Sequence, residues 1–385
     1  MALKQITPSD VAGTRISELE DDPKLGNPGM QERFDAYTDK VVEIVNQNAA
    51  NTYDKGEADQ MAQTKVNQAV FESGGGDMFK AVYDPLSKGA ALGDVYAYAD
   101  VAAQLSDRLY PGADLTVKFA AEIAAAPYNG DPWAWIRARI LAVNYTGLHV
   151  GDYIPFVAGG NTIKAEIGGM DTYFNYGDTP IGHHIDFISR DCWPDTHVFN
   201  KANYNNGTTV SPHPWLASDL YAWLNSLAMQ VPNATTASPA MVAVDYSTTG
   251  VYDKLPAELK AVIVPKRLWL PSRYTAGSLL TDDNTAAWAD IGKLWVPSEI
   301  EAYGCEHWGS KNGYSSGGFQ QYPVFATNMK RVKGAGDGGA RANWWLLSAA
   351  GGNSTNFALV GSSGYGINSS ASNTTIRAPL CFRIS

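Results

Sequence analysis

Residues 343–375 read NWWLLSAAGGNSTNFALVGSSGYGINSSASNTT, and residues 376–385 close the chain as IRAPLCFRIS. The first stretch carries no charged side chain and consists mostly of Asn, Ser, Thr and Gly. Taken alone, such a composition describes a flexible linker. Its neighbours argue otherwise. Trp344 and Trp345 stand at its start, and the closing residues alternate, with Ile376, Ala378, Leu380, Phe382 and Ile384 on one face and Arg377, Pro379, Cys381 and Arg383 on the other. Successive side chains of a strand point to opposite faces, so this period of two predicts a half-buried strand. The same alternation puts at least one of the two tryptophans in the core. An uncharged surface rich in hydrogen-bonding groups is therefore expected between ordered elements. That chemistry suits recognition more than catalysis.

The whole chain has 385 residues, room for two to three domains at roughly 150 residues each. Its net charge of −10, with no run of Lys or Arg, argues against a general nucleic-acid binder, which needs a basic patch to neutralise phosphates. The opening residues MALKQITPSDVAGTR lack the apolar stretch of a secretory signal. No segment approaches the ~20 apolar residues of a membrane-spanning helix, so no membrane insertion is expected. Cys192, Cys305 and Cys381 are odd in number and far apart, which predicts reduced thiols in a protein made in a cytoplasm. Triplets of the form Asn-X-Ser/Thr, as at Asn144 and Asn233, read as by-products of composition.

The character of the chain changes near residue 128, which suggests a helical region over 1–127 and an α+β domain over 128–385. In the first region Met30, Phe34, Tyr37, Val41, Ile44 and Asn48 are spaced 4, 3, 4, 3 and 4. This is a heptad seam, and Phe34, Tyr37, Val41 and Ile44 are its oligomerisation candidates; an amphipathic helix packed within its own domain is the alternative. Val95, Tyr98, Ala102, Leu105 and Leu109 repeat the spacing. Gly74 to Gly76 form no phosphate loop, because no Gly-Lys-Ser/Thr follows them. In the second region Trp133, Ile136, Ile140 and Leu141 lie at helical spacing, and Gly159-Gly160-Asn161 marks a turn between two short strands. SDLYAWLNSLAMQVP reads as one short helix capped by Ser218 or Asp219 and stopped by Pro232. Leu294 to Val296 read as a strand that leads into a Pro-Ser-Glu helix start.

The succession W-x-W-I-R, VGDYIPF, SDLYAWLN, LWVPSEIEAYG and NWWLLSA, closed by the alternating strand, resembles a domain common in phages of gut bacteria. That domain is similar to a divergent C-type-lectin-like fold, akin to the phage major tropism determinant and the formylglycine-generating-enzyme group. The resemblance covers about residues 128–385. Residues 18–48, ELEDDPKLGNPGMQERFDAYTDKVVEIVNQN, resemble the start of phage tail, baseplate and fibre proteins. Together the resemblances imply a virion protein: a helical N-terminal region that anchors or trimerises it beside other virion proteins, and an outward lectin-like domain that binds a host cell-surface receptor, glycan or protein. In some tropism determinants a retroelement substitutes adenines in the codons of this C-terminal region. The residues between Gly352 and Thr375 come largely from the set that adenine-rich codons yield. A structural capsid or tail decoration protein is the alternative, and a virion-borne glycan-degrading enzyme a further one.

Within the polar segment Tyr365 is the aromatic contact candidate, since tyrosine offers amphipathic area at low entropic cost. Asn353, Ser354, Asn356, Ser362, Ser363, Asn368, Ser370, Ser372 and Asn373 would supply adaptable hydrogen bonds; for each alone the alternative is a solvated turn residue. His183-His184-x-Asp186, with His197 nearby, is the most metal-like cluster. Adjacent histidines on a strand face opposite ways, so structural or surface histidines are expected instead. Carboxylates are scarce after residue 200, and the sequence does not show which of them would pair as a glycosidase requires. Cys381 has no second cysteine near it to match the formylglycine-generating relatives, and the calcium motifs of sugar-binding C-type lectins are missing; Trp193-Pro194-Asp195 is only superficially close. No enzymatic activity, cofactor or metal is expected.

Overall fold

The computed structural model describes residues 39–43, 110–310, 312–314 and 318–385, and the chain divides into two compact units, 1–103 and 104–385. In the first unit residues 39–43 are helical, with Val41 exposed and Val42 buried. The other seam candidates, Phe34, Tyr37 and Ile44, lie outside the described residues, as does the second seam.

The second unit is a mixed α+β structure. Helices α1 (Leu115–Lys118), α2 (Ala120–Ala124) and α3 (Pro132–Leu141) precede strands β1 (Tyr153–Ala158), β2 (Asn161–Met170) and β3 (Ile185–Cys192). Then come α4 (Asp219–Leu224), β4 (Ala228–Pro232), β5 (Met241–Asp245), α5 (Ala257–Val262), β6 (Ile263–Val264), β7 (Arg267–Ser272) and β8 (Thr285–Asp290). The last part holds α6 (Glu299–Tyr303), α7 (Asn328–Arg331), β9 (Lys333–Gly334), β10 (Arg341–Ala342), β11 (Trp344–Ala349), β12 (Asn356–Val360), β13 (Gly366–Ser370) and β14 (Pro379–Ile384). The unit reaches upstream of the composition change at residue 128. The buried Asp152 carboxylate accepts hydrogen bonds from the Tyr110 hydroxyl and the Ala113 amide, which ties the chain before α1 to the start of β1.

Several local expectations hold, although Leu294 to Val296 form no strand and make only an isolated bridge, Trp295 to Cys381. Asp131 caps α3 through the Trp133 and Ala134 amides, with Pro132 at the first helical position, where its missing N–H costs nothing. Ser298 and Glu301 form a reciprocal capping box on α6. Gly159 and Gly160 turn β1 into β2. Ser218, not Asp219, caps α4. The stretch from Ser218 to Pro232 is not one helix, however. It stops at Leu224, Ser226 takes a positive φ of 55°, and Ala228–Pro232 becomes β4, paired with β5. Asn225 makes the break: its amide donates to the Tyr221 and Leu294 carbonyls while its oxygen accepts from the Lys293 and Leu294 amides.

The principal sheet runs β1-β2-β3-β14-β6, antiparallel throughout, with Phe382 opposite Phe187. The closing strand is therefore interior, and buried on both faces rather than half-buried. Its period of two is real, but it sorts apolar from polar burial. On one face Phe382 stacks on Phe187 and meets Trp133 edge-on. On the other, Arg383 forms a two-pronged ion pair with Asp186, both contacts at 2.7 Å. The Tyr322 hydroxyl donates to Asp186 at 2.8 Å, and Lys266 donates to Tyr322 and to Glu301, which also accepts from Tyr173. The Lys266 ammonium lies over the rings of Tyr173, Trp295 and Tyr322. A buried charge persists only when it is paired and hydrogen-bonded, and this cluster meets that condition.

Candidate recognition surface

The uncharged segment folds into the second sheet, ordered β11-β12-β13. It is anchored at its base. Trp344 and Trp345 are both fully buried, and their indole N–H groups donate to the carbonyls of Arg331 and His197. Phe357 of β12 stacks on Phe199, with ring centres 3.5 Å apart. The loop between β11 and β12 is held from beneath by the buried Arg273 guanidinium, which donates to the carbonyls of Ala349, Ala350 and Asn353 and pairs with Asp283 at 3.1 Å. Asn205 adds hydrogen bonds to the carbonyls of Ala350, Asn353 and Asn356.

The turn from β12 to β13 is fixed as firmly. Gly364 has φ +85°, and a Cβ there would lie 2.4 Å from the Asn328 side-chain oxygen, so glycine is required. Asn328 donates to the Ser363 carbonyl, the Asn343 side chain accepts from the Ser362 amide, and the Tyr303 hydroxyl donates to the Gly364 carbonyl.

On this frame the ten candidate residues form several groups. Asn356 lies opposite Ser370 and Ala358 opposite Asn368, so Asn356, Asn368 and Ser370 share one face. The Asn356 amide donates to the Asn368 oxygen at 2.7 Å. Asn373 reaches Ser369, whose position belongs to the other face, and Ser372 bonds Asn203. The side-chain oxygen of Asn353 is spent on the amides of Thr355 and Asn356, and the Ser354 carbonyl accepts from the Asn205 amide. Ser362, Ser363 and Tyr365 lie at the turn, where Tyr365 is 54% exposed with its ring over Gly361.

The loop after α6 completes the surface, and the sequence reading passed it over. Gly304 ends α6 in the left-handed conformation, and Cys305, His307 and Trp308 follow, all exposed. Of the eleven tryptophans only Trp308 is exposed, at 42%. The buried Glu299 carboxylate organises the loop by accepting from the Trp308 and Gly309 amides. Burial pushes the Glu299 carboxyl above its usual range in spite of those bonds. The Trp308 indole N–H donates to the Gly366 carbonyl at 3.0 Å, and the Trp308 carbonyl accepts from the Gly351 amide. The rings of Tyr303 and His307 lie 3.5 and 3.6 Å from where a Cβ on Gly366 would stand, on the face of β13 that carries Asn368. In CEHWGS only Cys305 stands at helical spacing from Trp308 and nothing apolar at strand spacing, and a tryptophan outside any sustained periodic pattern was the available signal.

The histidines are engaged within the protein. His183 pairs with Asp171 at 2.8 Å. The buried His184 is bonded to the Gly182 carbonyl and the Tyr173 amide, and burial lowers its pKa. His197 pairs with Asp219 and stacks on Trp223. Among the described residues no cluster of three His, Cys, Asp or Glu side chains could hold a metal ion. Cys192 and Cys381 are buried; burial pushes the Cys192 thiol up to about 12 and that of Cys381 well above its usual value. Among the described residues no helix is long and apolar enough to cross a membrane.

Residues 188–384, just over half of the chain, match DUF6273, a domain of unknown function. The match opens within β3 and closes on the last residue of β14, so it takes in the entire second sheet and the loop of Trp308. No curated protein and no solved structure matches the chain.

Proposed function

The chain belongs to the DUF6273 family, and we propose that this member is a receptor-binding protein of a tailed-phage virion, with a C-type-lectin-like outer domain that attaches to the host surface. One observation carries the reading: an uncharged polar segment, whose composition taken alone would make a flexible linker, is pinned by side chains of other elements, of which Arg273 and Asn205 are buried. Arg273, Asn205, Asn328 and Asn343 all spend side-chain hydrogen bonds on the backbone of 349–363. Such a frame holds the exposed Tyr365 and the partly exposed Asn368 in place before a partner arrives. Fixing them beforehand lowers the ordering cost of binding. Short strands joined by long loops support the lectin-like assignment, and the resemblance of residues 18–48 to tail and fibre proteins supports the virion setting.

Fluorescently labelled full chain is expected to bind intact cells of the bacterium that the phage infects. Tyr365→Ala combined with Asn368→Ala removes two side chains of the surface while leaving the anchors, and is expected to weaken binding at least ~tenfold, the loss of one hot spot. Folded full chain that decorates particles but does not bind cells would favour the structural alternative.

A further inference from the structure

We propose that the Trp308 ring, with the Asn356, Asn368 and Ser370 face of the second sheet beside it, is a platform for a neutral saccharide; the inference deepens the receptor-binding reading and rests on it. Trp308 is the exposed exception among eleven tryptophans, yet it is held at three points. Its indole N–H is bonded to the Gly366 carbonyl, its amide to the Glu299 carboxylate, and its carbonyl to the Gly351 amide. An exposed apolar ring fixed in this way is costly to keep in water and cheap to order on binding. With the indole N–H committed inside the protein, what the side chain offers a ligand is its flat carbon face. The C–H surface of a pyranose ring complements such a face.

The neighbours fit the rest of a sugar. Asn356 and Asn368 each carry both donors and acceptors, and Ser370 carries a hydroxyl that is both, which matches hydroxyl groups that also donate and accept. The Asn356 to Asn368 bond sets the orientation of both amides. No charged side chain occurs over residues 343–375. Recognition of a carboxylated or phosphorylated sugar would call for an arginine fork or an ammonium. The nearby Arg331 guanidinium instead donates to the Ala302 and Phe325 carbonyls and lies over Tyr303. An extended peptide could pair with β13, the terminal strand of its sheet, but Trp308 caps the Gly366 carbonyl at the start of that strand. Covering an edge is how proteins discourage strand addition. The chemistry therefore favours a neutral glycan over an anionic one or a peptide.

The test uses the full chain and four probes, the methyl glycosides of glucose, galactose, mannose and N-acetylglucosamine, with sialyllactose as the charged comparison. Saturation-transfer NMR is expected to show saturable binding of at least one neutral glycoside, stronger than that of sialyllactose, with the signal strongest on the sugar C–H face. Trp308→Ala is expected to weaken it at least ~tenfold, and Trp308→Phe, which keeps a flat ring, less than that. Circular dichroism of both variants guards against unfolding; if Trp308→Ala does not fold, Asn368→Ala on the same face gives the same decision. Binding of none of the four, a preference for sialyllactose, or binding indifferent to both Trp308→Ala and Asn368→Ala would overturn the inference. Periodate treatment of host cells separates it from the reading beneath it. Cell binding that survives periodate but not protease leaves a receptor-binding protein with a protein receptor, whereas absence of cell binding defeats the receptor reading itself.

Discussion

Asp186 and Arg383 show what a single buried pair does in this molecule. Both side chains are almost wholly out of water, and they join β3 to β14 through two hydrogen bonds of 2.7 Å. Burial alone would raise the Asp186 carboxyl, but the Arg383 guanidinium and the Lys266 ammonium outweigh it and hold the carboxyl well below its usual range. Removing one partner strands the other charge in the interior, so Asp186→Asn is expected to cost about 3–5 kcal/mol at neutral pH. The sign of the pH effect follows from the depressed folded pKa. The unfolded carboxyl takes up its proton near pH ~4, while the folded one resists, so the pair's contribution is complete above that pH and is lost as pH falls towards the folded value. Asp171 and Asp219, where His183 and His197 offset burial and lower the carboxyls, act in the same direction. Urea midpoints measured from neutral to acid pH should therefore fall for the native chain and fall less steeply for Asp186→Asn. Parallel curves would show that the pair does not couple to protons.

At the scale of elements, β13 and β14 are near neighbours in sequence but differ in setting. β14 is an interior strand between β3 and β6 with every residue buried, whereas β13 ends its sheet and is partly exposed along its length. Amide exchange tracks local opening, so β14 should be among the slowest segments and β13 markedly faster. A bound ligand on the proposed surface should slow β13 and residues 304–310 and leave β14 unchanged; protection elsewhere alone would move the site. The alternation of Ile376 to Ile384 was legible because a period of two survives burial. The burial of Arg383 was not, since the pattern cannot distinguish a solvated arginine from one facing Asp186 across the sheet. The break after Leu224 escaped notice because Asn225 acts through Lys293 and Leu294, far along the chain. The proposed surface was half legible. Its polar strand was visible in composition, whereas Trp308 joins it only through a tertiary hydrogen bond to Gly366.

For the whole molecule, the proposed attachment raises the question of how an uncharged surface could hold a particle on a cell. A single platform of this kind binds weakly, and residues 343–375, without a charged side chain, add no local electrostatic attraction for a charged partner. Binding through it should accordingly change little with salt, in contrast to charge-driven adhesion, which weakens as the Debye length shrinks. Repetition is the remaining source of strength. Three tethered copies convert later contacts into intramolecular events and raise avidity by roughly 10²–10⁴ without a new contact. The seam expected from Phe34, Tyr37, Val41 and Ile44 is the sequence basis for such a trimer, and Val41, the one seam position described, is exposed and available to a partner. Light scattering on the full chain is expected to return the mass of three copies, and Val41→Asp should shift it towards one. The same substitution should reduce attachment to cells by a factor of the order of the avidity gain while leaving the affinity for a soluble monovalent ligand unchanged. A full chain that is monomeric at every concentration, yet binds cells as tightly as its Val41→Asp variant, would place the strength of attachment in the surface itself and not in its repetition.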